Sequence, residues 1–347
     1  MKSHEMQVRF KSEYALVAHS PDTVELRAGV WNPRSITLTD ESARGTLLPM
    51  LKGIQAGAAP ASIASTLGVA RSEVEALLDS LLEVGVVSTG QSGHLNALIE
   101  RQASLPMIEK ELDSRVLLIG DRAVSEAIHR QIAAELADRV ELVADADPLL
   151  LRLAELDLMA FTDGLAREAL FEKFEAWKDT VVVFGASHLN PITFAVLDEI
   201  AQGVGFVWLH GVIDGPYVFV GPTIIPGRSA NYRDLEQRFM MNTRELASYQ
   251  KYKDALAKEM VIGEGDPLGG PLVDLLAAHL SIEVVNWLKS GANFTVNKIL
   301  GIYLPTMEMA YHEILPSPFN SSATSLQSRD ATDLYFNVRD WLGENDD

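Results

Sequence analysis

The chain has 347 residues, 47% of them hydrophobic and 22% charged, which is the composition of a folded protein with room for about two domains and excludes wholesale disorder. Lysine plus arginine number 29 against 48 acidic residues, a net charge of −19 that repels phosphate backbones and anionic lipid, so neither nucleic acid nor membrane is an expected partner. There is no cysteine, which removes disulfides, thiolate zinc sites, iron–sulfur clusters and any cysteine nucleophile.

The opening residues MKSHEMQVRF carry charges and no apolar core. The most apolar later run, from Leu272 to Leu288, is interrupted by Asp274, His279 and Glu283. Neither pattern fits a signal peptide or a membrane-spanning helix, and a cytoplasmic location is expected. Residues 1–110 are nearly balanced in charge, so the acidic excess falls on the remainder, as expected of two parts with different surfaces.

Residues 15–40 read as three strands, ALVAHS, TVELRAG and SITLTD, separated by turns at Pro21-Asp22 and Trp31 to Arg34. Alternation in the third puts Ile36 and Leu38 on one face and Ser35, Thr37 and Thr39 on the other. Three helices follow. The first is expected from about Asp40 as N-cap, with a kink or early end at Pro49. The second, PASIASTLG, has Pro60 in its first turn and Gly68 at its end. The third spans 70–85 with a stripe of Val74, Leu77, Leu78, Leu81 and Leu82, closed by Gly85 before a return strand VVS. Strands, three helices and a return strand spell a winged helix-turn-helix. Its third helix, however, carries Arg71 against Glu73, Glu75, Asp79 and Glu83, the wrong sign for a DNA groove.

A connecting segment over 91–113 precedes a new rhythm. SRVLLIG, RVELVA, LDLMAFTDG and TVVVFGAS read as strands alternating with helices such as AVSEAIHRQIAAEL, which predicts an α/β domain with a doubly wound parallel sheet. Later come GFVWLHGVIDG, YVFVG and TIIPG, a helical polar stretch over 232–258, the apolar helix LVDLLAAHLSIEVVNWL, strand-like NFTVNKILGIYL and MEMAYHEIL, and an acidic tail.

The first strand-to-helix turn of such a domain is where nucleotide phosphates sit. Here it reads Gly120-Asp121-Arg122-Ala123-Val124-Ser125. Arg122 and Ser125 replace the second and third glycines of G-x-G-x-x-G, and Asp121 adds negative charge, so no bound cofactor is expected. His188, His210 and His279 stand in apolar contexts without a ligand-spaced partner and read as satisfied core histidines. Asp163-Gly164 and Asp214-Gly215 follow predicted strands, where functional residues often lie, but are equally ordinary turn chemistry. No nucleophile elbow occurs, since Gly185-Ala186-Ser187 lacks the second glycine. No catalytic residue is assigned.

Two further segments are informative: GPTIIPGRSANYRDLEQR (221–238) and HEILPSPFNSSAT (312–324). They resemble the places where E1-like (ThiF-like) partner proteins of YcaO cyclodehydratases set two Cys-x-x-Cys pairs. At those positions stand Asn231-Tyr232-Arg233-Asp234 and Asn320-Ser321-Ser322-Ala323. Asn231, Asp234, Asn320 and Ala323 cannot form a thiolate zinc site, so no metal is expected and hydrogen bonds or packing must hold these loops.

The order of modules is similar to the ocin-ThiF-like proteins of thiazole/oxazole-modified peptide (RiPP) pathways: a winged-helix RiPP recognition element (1–90), a linker (91–113), a degenerate E1-like Rossmann domain (114–310), and a former zinc-loop segment with an acidic tail (311–347). The resemblance implies a non-catalytic partner subunit. Such a subunit binds the leader of a precursor peptide and delivers it to a YcaO enzyme, which uses ATP to activate backbone amides. It implies that the leader adds a strand along Ser35, Ile36, Thr37, Leu38 and Thr39 and lies against Val74, Leu77, Leu78 and Leu81. A homodimer is expected from the apolar helix. An active E1-like adenylating enzyme and a winged-helix transcription regulator remain as alternatives.

Overall fold

A computed structural model describes residues 8–11, 14–31, 33–88, 112–261 and 270–316. The chain divides into two compact units, residues 1–104 and 105–347. In the first, β1 (Arg9–Phe10), β2 (Ala15–Ser20), β3 (Thr23–Ala28) and β4 (Arg34–Thr39) lead into α1 (Leu47–Gln55), α2 (Pro60–Leu67), α3 (Arg71–Glu83) and β5 (Val87–Ser88). Strands β2, β3 and β4 form an antiparallel sheet in that order, and β1 pairs with β5.

The alternating strand β3 sends Val24 and Leu26 into a core with Leu51, Ile54, Ile63, Val74 and Leu81. Helix α1 starts seven residues later than the sequence suggests. The Asp40 carboxylate accepts the Ser42 N–H at 2.9 Å, and Ala43 and Gly45 take positive φ, so a turn occupies the segment instead. Pro49 therefore sits in the first helical turn, where its missing N–H costs nothing and no kink results.

The second unit contains β6 (Val116–Gly120), α4 (Arg122–Leu136), β7 (Val140–Leu142), α5 (Pro148–Ala154), α6 (Gly164–Lys173), β8 (Val181–Ala186), α7 (Pro191–Val204), β9 (Val207–Asp214), β10 (Tyr217–Ile224), α8 (Tyr232–Asn242), α9 (Leu246–Ala257), α10 (Pro271–Ser290), β11 (Lys298–Tyr303) and β12 (Glu308–Glu313). Its seven-stranded sheet runs β12-β11-β10-β9-β8-β6-β7.

This α/β sheet is mixed, which corrects the expectation of a parallel one. Strands β7, β6, β8 and β9 are parallel, whereas β9 to β12 are antiparallel neighbours. Asp214 pairs with Tyr217 across a two-residue link, too short for the crossover that a parallel partner needs. LDLMAFTDG is not a strand either. Asp157 accepts the Met159 N–H at 2.9 Å, capping a short 3-10 turn over Leu158–Phe161, and Asp163 caps α6 through the Leu165 N–H at 3.0 Å.

Helices α4 and α10 pack on one face of the sheet, close enough that a Cβ on Gly185 would meet Val124 at 2.4 Å and one on Gly211 would meet Leu276 at 2.6 Å. On the other face, α7 contributes Phe194, Leu197, Ile200 and Ala201 to a core with Leu117, Ile119, Val182 and Trp208. Helix α10 is long and apolar enough to cross a membrane by composition. Its Leu276, Leu280, Val284, Val285 and Leu288 are nevertheless buried within this unit, which makes it a core helix, while Leu272, Leu275, Ala278 and Ile282 remain half-buried along another side.

Asp198 ties this core together. Its carboxylate accepts the Trp208 indole N–H at 3.2 Å and the Tyr232 backbone N–H at 3.2 Å, linking α7, β9 and α8. Burial pushes its carboxyl pKa up from 3.8 to about 7. A folded-state pKa above the unfolded one means the stabilisation is complete below about pH 4 and is lost as pH rises through about 7. Urea unfolding is therefore expected to show stability falling between about pH 4 and 7. Asp198→Ala should reduce that slope and cost about 1–3 kcal/mol near pH 5, because two buried donors lose their acceptor.

Candidate functional site

Strand β4 has β3 on one side and no strand on its other side among the described residues. The Asp40 N–H donates to the Asp22 carbonyl at 2.8 Å, which fixes the phase of the β3–β4 ladder. The register pairs Leu38 with Val24 and Ile36 with Leu26, so these fall in hydrogen-bonded pairs, while Thr39, Thr37 and Ser35 fall in the intervening pairs. The main-chain N–H and C=O groups of Ser35, Thr37 and Thr39 are thereby directed to the open edge. Their side chains are exposed, and Ile36 and Leu38 are half-buried against the core.

The helical residues named beside this strand divide. Val74, Leu78 and Leu81 are buried in the core, and only Leu77 is left half-buried at its border. The sequence stripe was wider than the face the helix uses. On the outward side, Arg71 is engaged by Glu75 at 2.8 Å.

In the second unit, chain order and sheet order diverge at β6: β7 lies on one side of it and β8 on the other. The crevice above the carboxyl ends of β6 and β8 is where open α/β sheets bind ligands. Here it is closed by protein groups. Gly120 has φ +97° and approaches so near that a Cβ would lie 2.2 Å from the Gly185 carbonyl. The Asp121 carboxylate accepts the Ser187 N–H at 2.6 Å and the Ser187 hydroxyl, and the Asp121 N–H donates to the Gly185 carbonyl at 2.7 Å. Ser125 is buried with its hydroxyl on the Ile119 carbonyl at 3.2 Å, and Arg122 is held by Glu126 at 2.6 Å. A fixed carboxylate stands where a nucleotide's phosphates would lie, and the nearby Arg122 is already paired with Glu126. This turn does not fit a nucleoside triphosphate.

Asn231 and Asp234 form a reciprocal capping box at the start of α8. The Asn231 side chain accepts the Asp234 N–H at 2.9 Å, and the Asp234 carboxylate accepts the Asn231 N–H at 3.0 Å. The i,i+3 spacing that would suit paired thiolates serves a helix cap instead. Asn320 and Ala323 lie outside the described residues. Among the described residues, no group of three or more histidine and acidic side chains is placed to hold a metal.

A cavity of about 600 Å³ opens between β9, β10, α8 and α9. It brings together His188, His210 and Asp214, which the sequence left scattered. His210 is 1% exposed and stacks on Phe194 with ring centroids 4.7 Å apart, as expected of a core histidine. It is not a satisfied one: neither ring nitrogen has a hydrogen-bond partner among the described residues. Burial lowers its pKa to about 3, so the ring is neutral. Asp214 stands at the mouth, where desolvation raises its carboxyl pKa. Phe219, Phe239, Tyr249 and Tyr252 line the walls. The last three belong to the stretch read simply as polar helix, and their spacing was the available signal. His279 lies on α10, and Asp163 serves as a helix cap.

The sequence matches no protein-family profile and no curated protein. Among solved structures, the heterocyclase TruD aligns with a TM-score of 0.56 at 15% identity, over 90% of this chain and 42% of that one. A heterocyclase in complex with substrate and cofactor aligns with a TM-score of 0.58 at 14% identity, over 89% and 38%. E. coli MccB aligns over 90% of this chain and 95% of its own, with a TM-score of 0.46 at 10% identity. The chain spans about two fifths of the length of the two heterocyclases, and at these identities the likeness is one of fold.

Two outcomes follow from the closed turn and the capping box. ATP with magnesium should give no saturable thermal shift, and a shift of several degrees would contradict the reading of Asp121 and Arg122. Elemental analysis should find zinc well below one atom per chain, and stoichiometric zinc would contradict the reading of Asn231 and Asp234.

Proposed function

We propose that this chain recognises the leader of a ribosomal precursor peptide and delivers it to a separate YcaO cyclodehydratase for azoline formation, without adenylating it. The observation that carries this reading is the open edge of β4, where Ser35, Thr37 and Thr39 offer main-chain donors and acceptors in a row between half-buried Ile36 and Leu38, with Leu77 of α3 half-buried at the border of the same core. An added strand satisfies such an edge and takes its register from the apolar side chains next to it. The fold likeness to heterocyclase structures supports the same direction.

In this reading, residues 1–90 form the winged-helix recognition element, 91–113 the linker, 114–310 a degenerate E1-like domain and 311–347 its former zinc-loop segment and tail. The closed turn at Gly120–Ser125 weighs against an adenylating enzyme. Glu73, Glu75, Asp79 and Glu83 on α3 weigh against a DNA-binding one.

The test is fluorescence anisotropy of the full chain with labelled candidate leader peptides, read beside a thermal melt of each variant. Thr37→Pro should abolish binding while the fold survives, because the lost N–H faces the open edge. Leu77→Ala should weaken binding by about 1–2 kcal/mol. Leu78→Ala or Leu81→Ala should instead cost about 2–5 kcal/mol of stability. Undiminished binding by a folded Thr37→Pro protein would move the peptide site elsewhere.

A further inference from the structure

The cavity beside His210 is independent of the β4 edge and has chemistry of its own. Its floor includes the neutral His210 ring, whose two nitrogens, one donor and one acceptor, are buried and without partners among the described residues. A buried polar group in that state costs free energy that a hydrogen-bonding ligand would recover. Its walls are aromatic, with Phe219 and Phe239 edge to face at 5.4 Å. Its mouth carries the exposed Asp214, whose carboxylate has no hydrogen-bond or ion-pair partner among the described residues.

The charges at the cavity select the ligand's sign. Neither arginine nor lysine lines it among the described residues. The nearby Lys253 is bound to Glu236 at 2.6 Å, and Glu236 also accepts the Tyr249 hydroxyl at 2.6 Å. An anion would meet Asp214 and Glu236 with no arginine or lysine in the lining among the described residues to oppose them. A cation would pair with Asp214 and find aromatic faces around it.

We propose that this cavity binds a small organic cation: an ammonium group held at Asp214 and the aromatic walls, on an apolar body whose far end carries a hydroxyl or similar polar group that pairs with His210 once its ring turns toward the cavity. A free amine and the amino terminus of a peptide both present this chemistry.

Calorimetric titration of the full chain with three probes of one shape tests it: tyramine, the uncharged para-ethylphenol, and the carboxylate phloretic acid. Tyramine should bind most tightly and phloretic acid least. Asp214→Asn, at the exposed mouth, should weaken tyramine roughly fivefold and leave para-ethylphenol unchanged. His210→Phe should remove the advantage of tyramine over phenethylamine, which lacks the hydroxyl. Should that buried substitution fail to fold, the Asp214 comparison still decides. A short peptide amide beginning with tyrosine that displaces tyramine identifies a chain terminus as the source, and one that fails to compete identifies a free amine. No heat with tyramine at millimolar concentration, equal affinity for all three probes, or an Asp214→Asn protein that binds tyramine unchanged would overturn the proposal.

Discussion

The approach of two glycines sets the geometry of the second unit. Gly120 at the end of β6 and Gly185 in β8 stand where any side chain would collide, with the neighbouring backbone in one case and with Val124 of α4 in the other. Because neither carries a Cβ, α4 can settle on the sheet. The chain can also turn sharply enough after β6 to bring the Asp121 carboxylate onto Ser187. That contact plugs the crevice at the point where strand order reverses, and it positions the segment that forms one wall of the cavity beyond. A fold that commonly opens to phosphate at this place carries an internal hydrogen bond here, and a cavity lies further along the sheet among aromatic side chains.

The two candidate surfaces rest on different parts of the polypeptide. The β4 edge presents main-chain groups, whose direction depends on pairing phase, which a single hydrogen bond at Asp40 makes visible. The cavity works through side chains drawn from strands and helices far apart in the chain. One surface suits an extended chain of variable sequence, the other a compact ligand of defined charge.

How much of this was legible in the sequence follows from the range of the forces involved. The period-two alternation at Ser35 to Thr39 and the glycine that ends α2 are local, and both were read correctly. Strand pairing is not local: nothing in GFVWLHGVIDG states that the next strand returns antiparallel, although the two-residue link to YVFVG held the clue. LDLMAFTDG is a short apolar run of the kind that periodicity cannot assign, and Asp157 and Asp163 decided it as caps. The leucines of α3 all belonged to an apolar stripe, and only packing could separate Leu77 from Leu78 and Leu81. Whether His210 is satisfied depends on neighbours contributed by other elements, which no spacing encodes.

The phase of β4 has a consequence for any strand that joins it. Outward-facing main-chain groups recur at every second residue, about 6.8 Å apart, so an incoming peptide is held at discrete steps of two residues. A displacement of one residue turns every side chain of the guest to the opposite face; a displacement of two restores the arrangement one step along. In the proposed reading, the edge therefore measures parity. It distinguishes guests by the spacing of their apolar residues, odd from even, and tolerates wide variation in what stands between them.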